Sequence, residues 1–257
     1  MPWLTHGFTL RHPINSKAKL TLDFNNQIHN KKQISTQNQL IKTLSGKTLP
    51  LVLLNQTHSE KIYCLDRFIP DDSIKTADAL ITRLPEILLG IQVADCLSIL
   101  VADPSSRVIA AIHAGWRGLL KGVVPKTISL MQSNYSVNPK NCIAVIGPSI
   151  GSCCYQVGDE VANAFLELFK KQGGIFDPKV NSLPHSMELY NRPIYNPKTR
   201  TLNLSAACRF QLQSCGLMPD KVSSDPPCTF CHNKVFFSYR RGKGRTGRML
   251  AIIGLLS

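Results

Sequence analysis

Short apolar runs separated by polar turn residues dominate the first half of the chain and predict β-strands. The clearest pair of runs is 97–102 and 108–112, which flank the turn-like sequence Asp103-Pro104-Ser105-Ser106. A turn of this composition between two apolar runs predicts a β-hairpin. The strands predicted over the whole chain are 49–54, 61–65, 79–82, 88–93, 97–102, 108–112, 142–146, 235–239 and 249–255.

Three stretches further along have apolar residues three and four positions apart, which predicts helices. These are 117–132 with Pro125 as a candidate start, a helix that begins at Asp159 and is ended by Gly173-Gly174, and 204–212 closed near Gly216. Residues 174–200 contain several Pro and Asn and predict a long loop. Because no repeat or low-complexity linker divides the chain, we predict one mixed α/β domain over residues 1–257.

The composition favours a globular protein without a membrane segment. An apolar fraction of 43% supports a sizeable core. No segment approaches the roughly 18 consecutive apolar residues of a transmembrane helix. The first residues also lack the charged and apolar regions of a secretory signal. We therefore expect a cytoplasmic protein with no membrane partner.

The formal net charge of +14 is concentrated late in the chain, where residues 192–248 contain eleven Lys or Arg and only two acidic residues. Such a basic surface suits a nucleic acid, a phosphate-bearing or anionic small substrate, or solvent alone. We find no pattern of interleaved aromatic residues for stacking bases, so nucleic acid is the least favoured partner. A nucleic-acid-binding protein would instead show strongly salt-dependent binding to a random duplex.

Residues with reactive side chains lie at the outer ends of the predicted hairpin. If Ala102 lies opposite Arg107, then Cys96 lies directly opposite His113, with Cβ atoms about 4.5–5.5 Å apart. A thiolate and an imidazole at this separation can share a zinc ion, and a catalytic zinc needs a third protein ligand. His58, which follows its own apolar strand, is the best third candidate, although spacing alone cannot place it.

Two other interpretations of the same pair stay open. Cys96 can be a nucleophile that passes its proton to His113, with an Asp or Gln orienting the imidazole and no metal involved. Cys96 can equally be a buried thiol and His113 a hydrogen-bonded core histidine. The sequence does not separate these alternatives.

Two further motifs match known patterns, but the sequence around them lacks the features that those patterns require. Cys228-Thr229-Phe230-Cys231-His232 matches c-type haem attachment, which requires an exported protein, and its CxxC lacks a second pair at zinc-finger spacing. Gly242-Lys243-Gly244-Arg245-Thr246-Gly247 matches GxGxxG, but a β-prone run follows it instead of a helix. We interpret it as a flexible basic hairpin loop, in which the neighbouring arginines are candidate anion contacts.

Several motifs together resemble the YfiH-type laccase-domain family, in the same order from about residue 6 to residue 254. The motifs are Asn55-Gln56-Thr57-His58, Asp78-Ala79-Leu80-Ile81-Thr82, Ala94-Asp95-Cys96, His113-Ala114-Gly115-Trp116-Arg117-Gly118, Gly147-Pro148-Ser149-Ile150, Cys154-Tyr155-Gln156-Val157-Gly158, Cys228-Thr229, Phe236-Phe237-Ser238-Tyr239-Arg240-Arg241 and Thr246-Gly247-Arg248.

The resemblance implies α/β/β/α layers around a mixed β-sheet core and a metal, usually zinc, held by His58, Cys96 and His113. It implies phosphorolysis of adenosine, inosine, guanosine and methylthioadenosine, together with deamination of adenosine. The fold also resembles the catalytic part of deamidating cytotoxic necrotizing factor toxins, which use a Cys–His pair. The family name suggests a polyphenol oxidase, but this chain has seven His and no His-x-His pair.

The preferred hypothesis is therefore a zinc-dependent enzyme whose partners are a purine nucleoside and phosphate. Copper is an alternative metal, because it binds Cys and His ligands more tightly than zinc does. Asp95 or Gln56 would supply hydrogen bonds or proton transfer. Whether the chain is a monomer or a homodimer stays open. The candidate phosphate or substrate contacts are Arg240, Arg241, Arg248 and Arg11, the last followed by His12-Pro13-Ile14-Asn15 where the family has Gly-Gly-Val-Ser.

Overall fold

The computed structural model describes residues 2–11, 41–68, 74–171, 193–223 and 226–257. The strands in this part of the chain are β1 Leu4–Phe8, β2 Leu51–Val52, β3 Ile62–Leu65, β4 Ala79–Thr82, β5 Ile87–Val93, β6 Leu97–Asp103, β7 Val108–Ala114, β8 Ile143–Ile146, β9 Tyr195–Asn196, β10 Thr201–Leu202 and β11 Met249–Leu255. The helices are α1 Trp116–Lys121, α2 Val123–Tyr135, α3 Asp159–Lys171 and α4 Leu204–Ser214, with 3-10 turns at Pro139–Asn141 and Pro219–Lys221.

The longer strands form two mixed sheets. One has the strand order β1-β11-β5-β2 and the other β3-β4-β7-β6-β8, while β9 and β10 pair separately. Each sheet contains one parallel pair, β2 with β5 and β3 with β4, and its other pairs are antiparallel. The chain passes from the first sheet to the second between β5 and β6, a connection of only three residues that contains Cys96.

The two sheets pack face to face, and helical segments cover their outer faces. Leu89 and Ala251 of the first sheet share a buried cluster with Leu100 and Ile109 of the second. The opposite face of the five-stranded sheet packs against α1, α2 and α4. The outer face of the four-stranded sheet packs against the helical residues 41–45. These contacts confirm the predicted mixed α/β class and its α/β/β/α layers.

The β6–β7 hairpin forms as predicted, but the predicted register is wrong by two residues. Asp103 pairs with Val108 and Ser98 pairs with His113. Asp103 ends the strand because its carboxylate accepts hydrogen bonds from Ser105 N at 2.9 Å and Ser106 Oγ at 2.5 Å. A shift of two residues leaves the faces of the strands unchanged. Cys96 and His113 therefore still lie on one side, as diagonal neighbours.

The predicted helix 117–132 is two helices separated by Gly122. This residue has a φ of 78°, and its N–H donates to the carbonyl groups of Gly118 and Leu119, which closes α1. A left-handed backbone of this kind favours glycine. Pro125 lies in the first turn of α2, where its missing N–H costs little.

Two other predictions differ from the structure. Residues 235–239 are not a strand, because Val235 N and Phe236 N both donate to the carbonyl of His232 and form a turn. Residues 242–247 consequently form an irregular loop instead of a hairpin. The remaining predicted strands and helices are confirmed with bounds shifted by a few residues, and 49–54 shortens to β2.

Parts of the chain lie outside the described residues. They include Gly173-Gly174 and most of the predicted loop 174–200. The extent of one domain over residues 1–257 stays a prediction. None of the helices in the described part has the length and apolar character needed to cross a membrane.

Candidate functional site

His58, Cys96 and His113 converge where the chain crosses between the sheets. The ligand atoms of the three side chains all lie within 4.8 Å of one another. Cys96 Sγ lies 3.7 Å from His58 Nε2, and the two imidazole rings meet edge to face with centroids 4.8 Å apart. The geometry thus brings together the three residues that the sequence analysis selected as ligands.

Local backbone conformations place these side chains. His113 is the second-last residue of β7 and is buried. Cys96 directly precedes β6 and follows Asp95, whose φ of 84° turns the chain sharply. His58 itself has a φ of 56°. Non-glycine residues in the left-handed region are uncommon and are found preferentially at functional sites.

Asp78, which the sequence analysis did not select as a site residue, positions both histidines. Its Oδ1 atom lies 2.8 Å from His113 Nδ1 and also accepts a hydrogen bond from His58 N at 3.0 Å. Its Oδ2 atom accepts hydrogen bonds from Thr57 N, Ser59 N and Ser59 Oγ. A carboxylate on the distal nitrogen of a histidine fixes the tautomer and orientation of the ring, as in many metal sites. This leaves Nε2 as the free nitrogen of His113.

The electrostatics of the site favour the ionised thiol. Burial by itself would raise the pKa of Cys96, but hydrogen bonds and positive charge from His113 and His58 lower it to about 6. Burial would lower the pKa of His113, but hydrogen bonds and negative charge from Asp78 and Cys96 raise it to about 9. Burial opposes ionisation of Asp78, yet hydrogen bonds from His113 and Ser59 hold its pKa well below the usual range. A thiolate is the form of cysteine that binds metals and acts as a nucleophile.

The donor set fits a zinc or copper ion. One thiolate and two imidazoles are ligands that both metals accept, and three protein ligands leave a position open for water or substrate. Gly115 also fits this interpretation, because a Cβ atom there would lie 2.9 Å from Cys96 Sγ and 3.2 Å from His58 Cδ2. The site therefore requires a residue without a side chain at this position.

We expect Gly115→Ala to lower metal affinity by about 10- to 100-fold, the range found when the support of metal ligands is disturbed. The added methyl group would push Cys96 Sγ away from the histidines. Metal affinity can be measured by competition with a chromophoric chelator. Gly158→Ala is the matched control, since no atom lies within 4 Å of a Cβ added there. Unchanged affinity in Gly115→Ala would contradict this view of the site.

The three residues line a cavity of about 520 Å³, a size within the range of small-molecule sites. Arg117, Arg240 and Arg248 also line this cavity, as do Trp116, Tyr155 and Tyr239. Burial, together with the negative charges of Cys96 and Asp95, raises the pKa of Tyr155 to about 12 against the opposing effect of Arg240 and Arg117. The Tyr155 hydroxyl is therefore protonated at neutral pH and can donate a hydrogen bond.

The four arginines selected from the sequence divide into two pairs. Arg240 and Arg248 line the cavity, where the Arg240 guanidinium donates to the Gln156 carbonyl and that of Arg248 to the carbonyls of Thr246 and Gly247. Arg241 lies over the Phe230 ring and donates to the Phe230 carbonyl, while Arg11 lies over Phe237 and donates to the Asn233 carbonyl. Neither Arg241 nor Arg11 is among the lining residues. Their positions give no support to the phosphate-binding role predicted for them.

Asp95 and Gln56 line the cavity, but their side chains are held by the surrounding fold. Asp95 accepts hydrogen bonds from Thr229 Oγ1 at 2.5 Å, Ser238 Oγ at 3.1 Å and Arg240 N at 2.7 Å. The Gln56 amide exchanges two hydrogen bonds of 2.8 Å with the backbone of Gln92. Both residues therefore hold loops in place around the site.

Asp78, Arg117 and Tyr155 belong to the site but were not predicted as site residues. All three lie within the motifs quoted above, and membership of these motifs was the one sequence signal that could have identified them. Composition and spacing could not select them, because each lies far from Cys96 in the sequence and approaches it only after the sheets pack.

The fold and the site together define a class of protein. It is a mixed α/β protein with two packed sheets, and a Cys–His–His site lines its basic cavity. The family model described as "Multi-copper polyphenol oxidoreductase laccase" matches residues 5–256, and the chain belongs to this family.

The chain is similar to proteins with related names. It is 30% identical to purine nucleoside phosphorylase YlmD of Geobacillus stearothermophilus over 96% of this chain and 89% of that protein. A crystal structure of YlmD from Geobacillus stearothermophilus superposes with a TM-score of 0.80, covering 100% of this chain and 94% of the other at 26% identity. A purine nucleoside phosphorylase of Haemophilus influenzae is 31% identical, over 98% of this chain and 95% of that protein. Adenosine deaminase RL5, from an unknown prokaryotic organism, is 31% identical over 77% and 72% of the two chains.

Proposed function

We propose that this protein is a metal-dependent enzyme that cleaves purine nucleosides by phosphorolysis and also deaminates adenosine. The observation that carries the proposal is the convergence of His58, Cys96 and His113 in a cavity lined by Arg117, Arg240 and Arg248. The names of the relatives support the substrate class. Adenosine, inosine, guanosine and methylthioadenosine are the proposed nucleosides.

His58, Cys96 and His113 would hold the metal, with zinc as the proposed ion and copper as the alternative. A bound zinc ion would supply a Lewis acid that polarises substrate or lowers the pKa of bound water. The chain's own part is to keep Cys96 ionised and to hold His113 through Asp78, so that the ligands are arranged before substrate enters.

In this proposal the arginines of the cavity contact phosphate and its aromatic residues contact the purine. Guanidinium groups bind phosphate through paired N–H donors, so Arg240 and Arg248 are the proposed phosphate contacts and Arg117 adds positive charge. Trp116, Tyr155 and Tyr239 offer ring faces on which a purine can stack. The protonated Tyr155 hydroxyl is a candidate hydrogen-bond donor to the purine.

The direct test is to incubate the purified protein with phosphate and adenosine, and then with each of the other three nucleosides, and to separate the products by chromatography. We expect adenine and ribose 1-phosphate from phosphorolysis, and inosine from deamination. Elemental analysis of the same preparation identifies the metal. Absence of product from all four nucleosides would overturn the proposal, as would equal activity in a preparation of Cys96→Ala.

Arg240→Ala should raise the KM for phosphate by about 10- to 100-fold, because a hydrogen bond to a charged group is worth about 1.5–3 kcal/mol. The hydrogen bond from Arg240 N to Asp95 is made by the backbone and survives the substitution. KM values from initial rates at varied phosphate measure the effect. Arg241→Ala is the matched control: it removes the same charge one residue along the chain, outside the cavity lining. Equal changes in both variants would contradict phosphate binding by Arg240.

A metal-free Cys–His enzyme is the second candidate function. The arrangement of Cys96, His113 and Asp78, with the pKa of the thiol lowered to about 6, resembles a nucleophile, a base and an orienting carboxylate. Metal analysis separates the two candidates. Full activity in protein stripped of metal would favour the metal-free enzyme.

Polyphenol oxidation, which the family description suggests, has less support from the residues present. The groups of potential metal ligands among the described residues are the His58 site and one cluster of four cysteines. Neither provides the many histidines of a multicopper centre. An assay with a phenolic substrate belongs in the same series of tests.

A further inference from the structure

Four of the nine cysteines form a cluster that is separate from the His58 site. Cys153 and Cys154 follow β8 in the loop that leads to α3, and Cys228 and Cys231 belong to the segment before β11. Cys153 and Cys231 are 78 residues apart in sequence. The lone CxxC therefore does have a second pair of cysteines, but the fold supplies it from a distant loop.

The sulfur atoms have the separations that one tetrahedral ion requires. All four lie within 4.8 Å of one another, with Cys231 Sγ 3.6 Å from Cys153 Sγ and 3.4 Å from Cys154 Sγ. A zinc ion with four Zn–S bonds of about 2.3 Å holds its sulfurs about 3.8 Å apart. A small adjustment of side-chain torsions would bring the four thiolates to this distance.

The backbone around Cys228 allows the two cysteine-containing loops to approach each other closely. Gly151 N donates a hydrogen bond of 3.2 Å to Cys228 Sγ, which stabilises a thiolate there. A Cβ atom at Gly151 would lie 3.2 Å from Cys228 Cβ and 3.3 Å from Cys153 Sγ. Ser149 and Cys228 also pair as neighbouring strand-like residues. The two loops are thus held at the separation that shared ligation needs.

We propose that Cys153, Cys154, Cys228 and Cys231 bind a second zinc ion with a structural role. Four thiolates without an open position are the ligand set of a closed structural zinc site. All four cysteines are free thiols in the structure. A disulfide would use two of the sulfurs and leave the convergence of the other two unexplained.

The position of the cluster indicates what the ion would stabilise. One loop carries Ile150 and Tyr155 to the cavity, and the other carries Thr229, Ser238 and Arg240 to the carboxylate of Asp95. A zinc ion shared by these loops would fasten together two walls of the cavity. Its presence does not depend on which reaction the cavity performs.

The test counts zinc ions in the purified full-length protein and its variants. We expect about two per chain in the wild type, one in Cys231→Ser, one in Cys96→Ala and none in the double variant. Cys231→His, which keeps a ligand, should retain the second ion. Cys215→Ser, a partly buried thiol outside both sites, is the control and should keep both ions.

A spectroscopic measurement covers the case in which Cys231→Ser folds poorly. Cobalt loaded into Cys96→Ala should give strong sulfur-to-metal charge-transfer absorption, as expected for four thiolates. If the wild type contains zinc and Cys96→Ala contains none, the proposal of a second site is overturned. The same holds if mass spectrometry of the non-reduced protein finds Cys231 in a disulfide with Cys153 or Cys154. Failure of the nucleoside assay would leave these counts unaffected, so the two proposals fail separately.

Discussion

Replacing Cys96 with alanine is expected to remove the metal from the His58 site and to lower kcat/KM for phosphorolysis by about 1,000-fold. Metal ions stabilise charge in the transition state by several kcal/mol, and about 4 kcal/mol corresponds to this factor. Two imidazoles alone are a much weaker site, because the thiolate is the charged ligand of the set. Cys96 Sγ also lies at the centre of the site, 3.7 Å from His58 Nε2.

The measurements are zinc content and initial rates with adenosine and phosphate. Cys64→Ala is a matched control, because Cys64 is also half-buried but takes no part in either cluster of ligands. If Cys96→Ala has the same zinc content as the wild type and loses only activity, Cys96 acts as a nucleophile and not as a ligand. If both its zinc content and its activity equal those of the wild type, the site has been assigned wrongly.

Asp78→Asn is expected to lower metal affinity by about 10- to 100-fold, the usual range for the loss of a carboxylate behind a ligating histidine. The amide is uncharged and presents an NH₂ group where one carboxylate oxygen now accepts hydrogen bonds. Whichever way the amide turns, it faces an N–H donor: either His113 Nδ1–H and His58 N–H, or Thr57 N–H and Ser59 N–H. Both histidines would lose their fixed positions.

Asp103→Asn is the control for this substitution. Asp103 is also a buried aspartate whose carboxylate accepts hydrogen bonds, but it lies at the turn of the β6–β7 hairpin, away from the His58 site. Both variants should unfold at lower temperature than the wild type, but only Asp78→Asn should show weakened metal binding by chelator competition. An equal loss of metal in the two variants would mean that Asp78 acts only by stabilising the fold and not by positioning the histidines.

The β6–β7 hairpin shows which features a local apolar pattern predicts and which it does not. Two apolar runs and a turn were sufficient to predict the strands and to place Cys96 and His113 on one face. The exact pairing was wrong, because the Asp103 carboxylate closes the turn and extends β6 by one residue. Register depends on such turn contacts, which the apolar pattern does not record.

The segment 235–239 shows the opposite case. Its apolar residues indicated a strand, and Phe236 and Phe237 are indeed buried in the cluster between the sheets. Burial alone does not decide the backbone conformation, however. Here the hydrogen bonds to the His232 carbonyl favour a turn, and the edges of both sheets are formed by other strands.

The mixed α/β class, the hairpin and the reactive residues Cys96 and His113 at its ends were predictable from the sequence, because strand periodicity and local motifs are short-range properties. His58 joined this pair only through the resemblance to a known family, since spacing alone does not place it. Only the tertiary structure showed Asp78 behind both histidines, Arg240 facing the cavity while Arg241 does not, and two distant cysteine pairs in one cluster. These are contacts between residues far apart in the chain. They form when the two sheets pack and their loops meet, and no single stretch of sequence contains both partners.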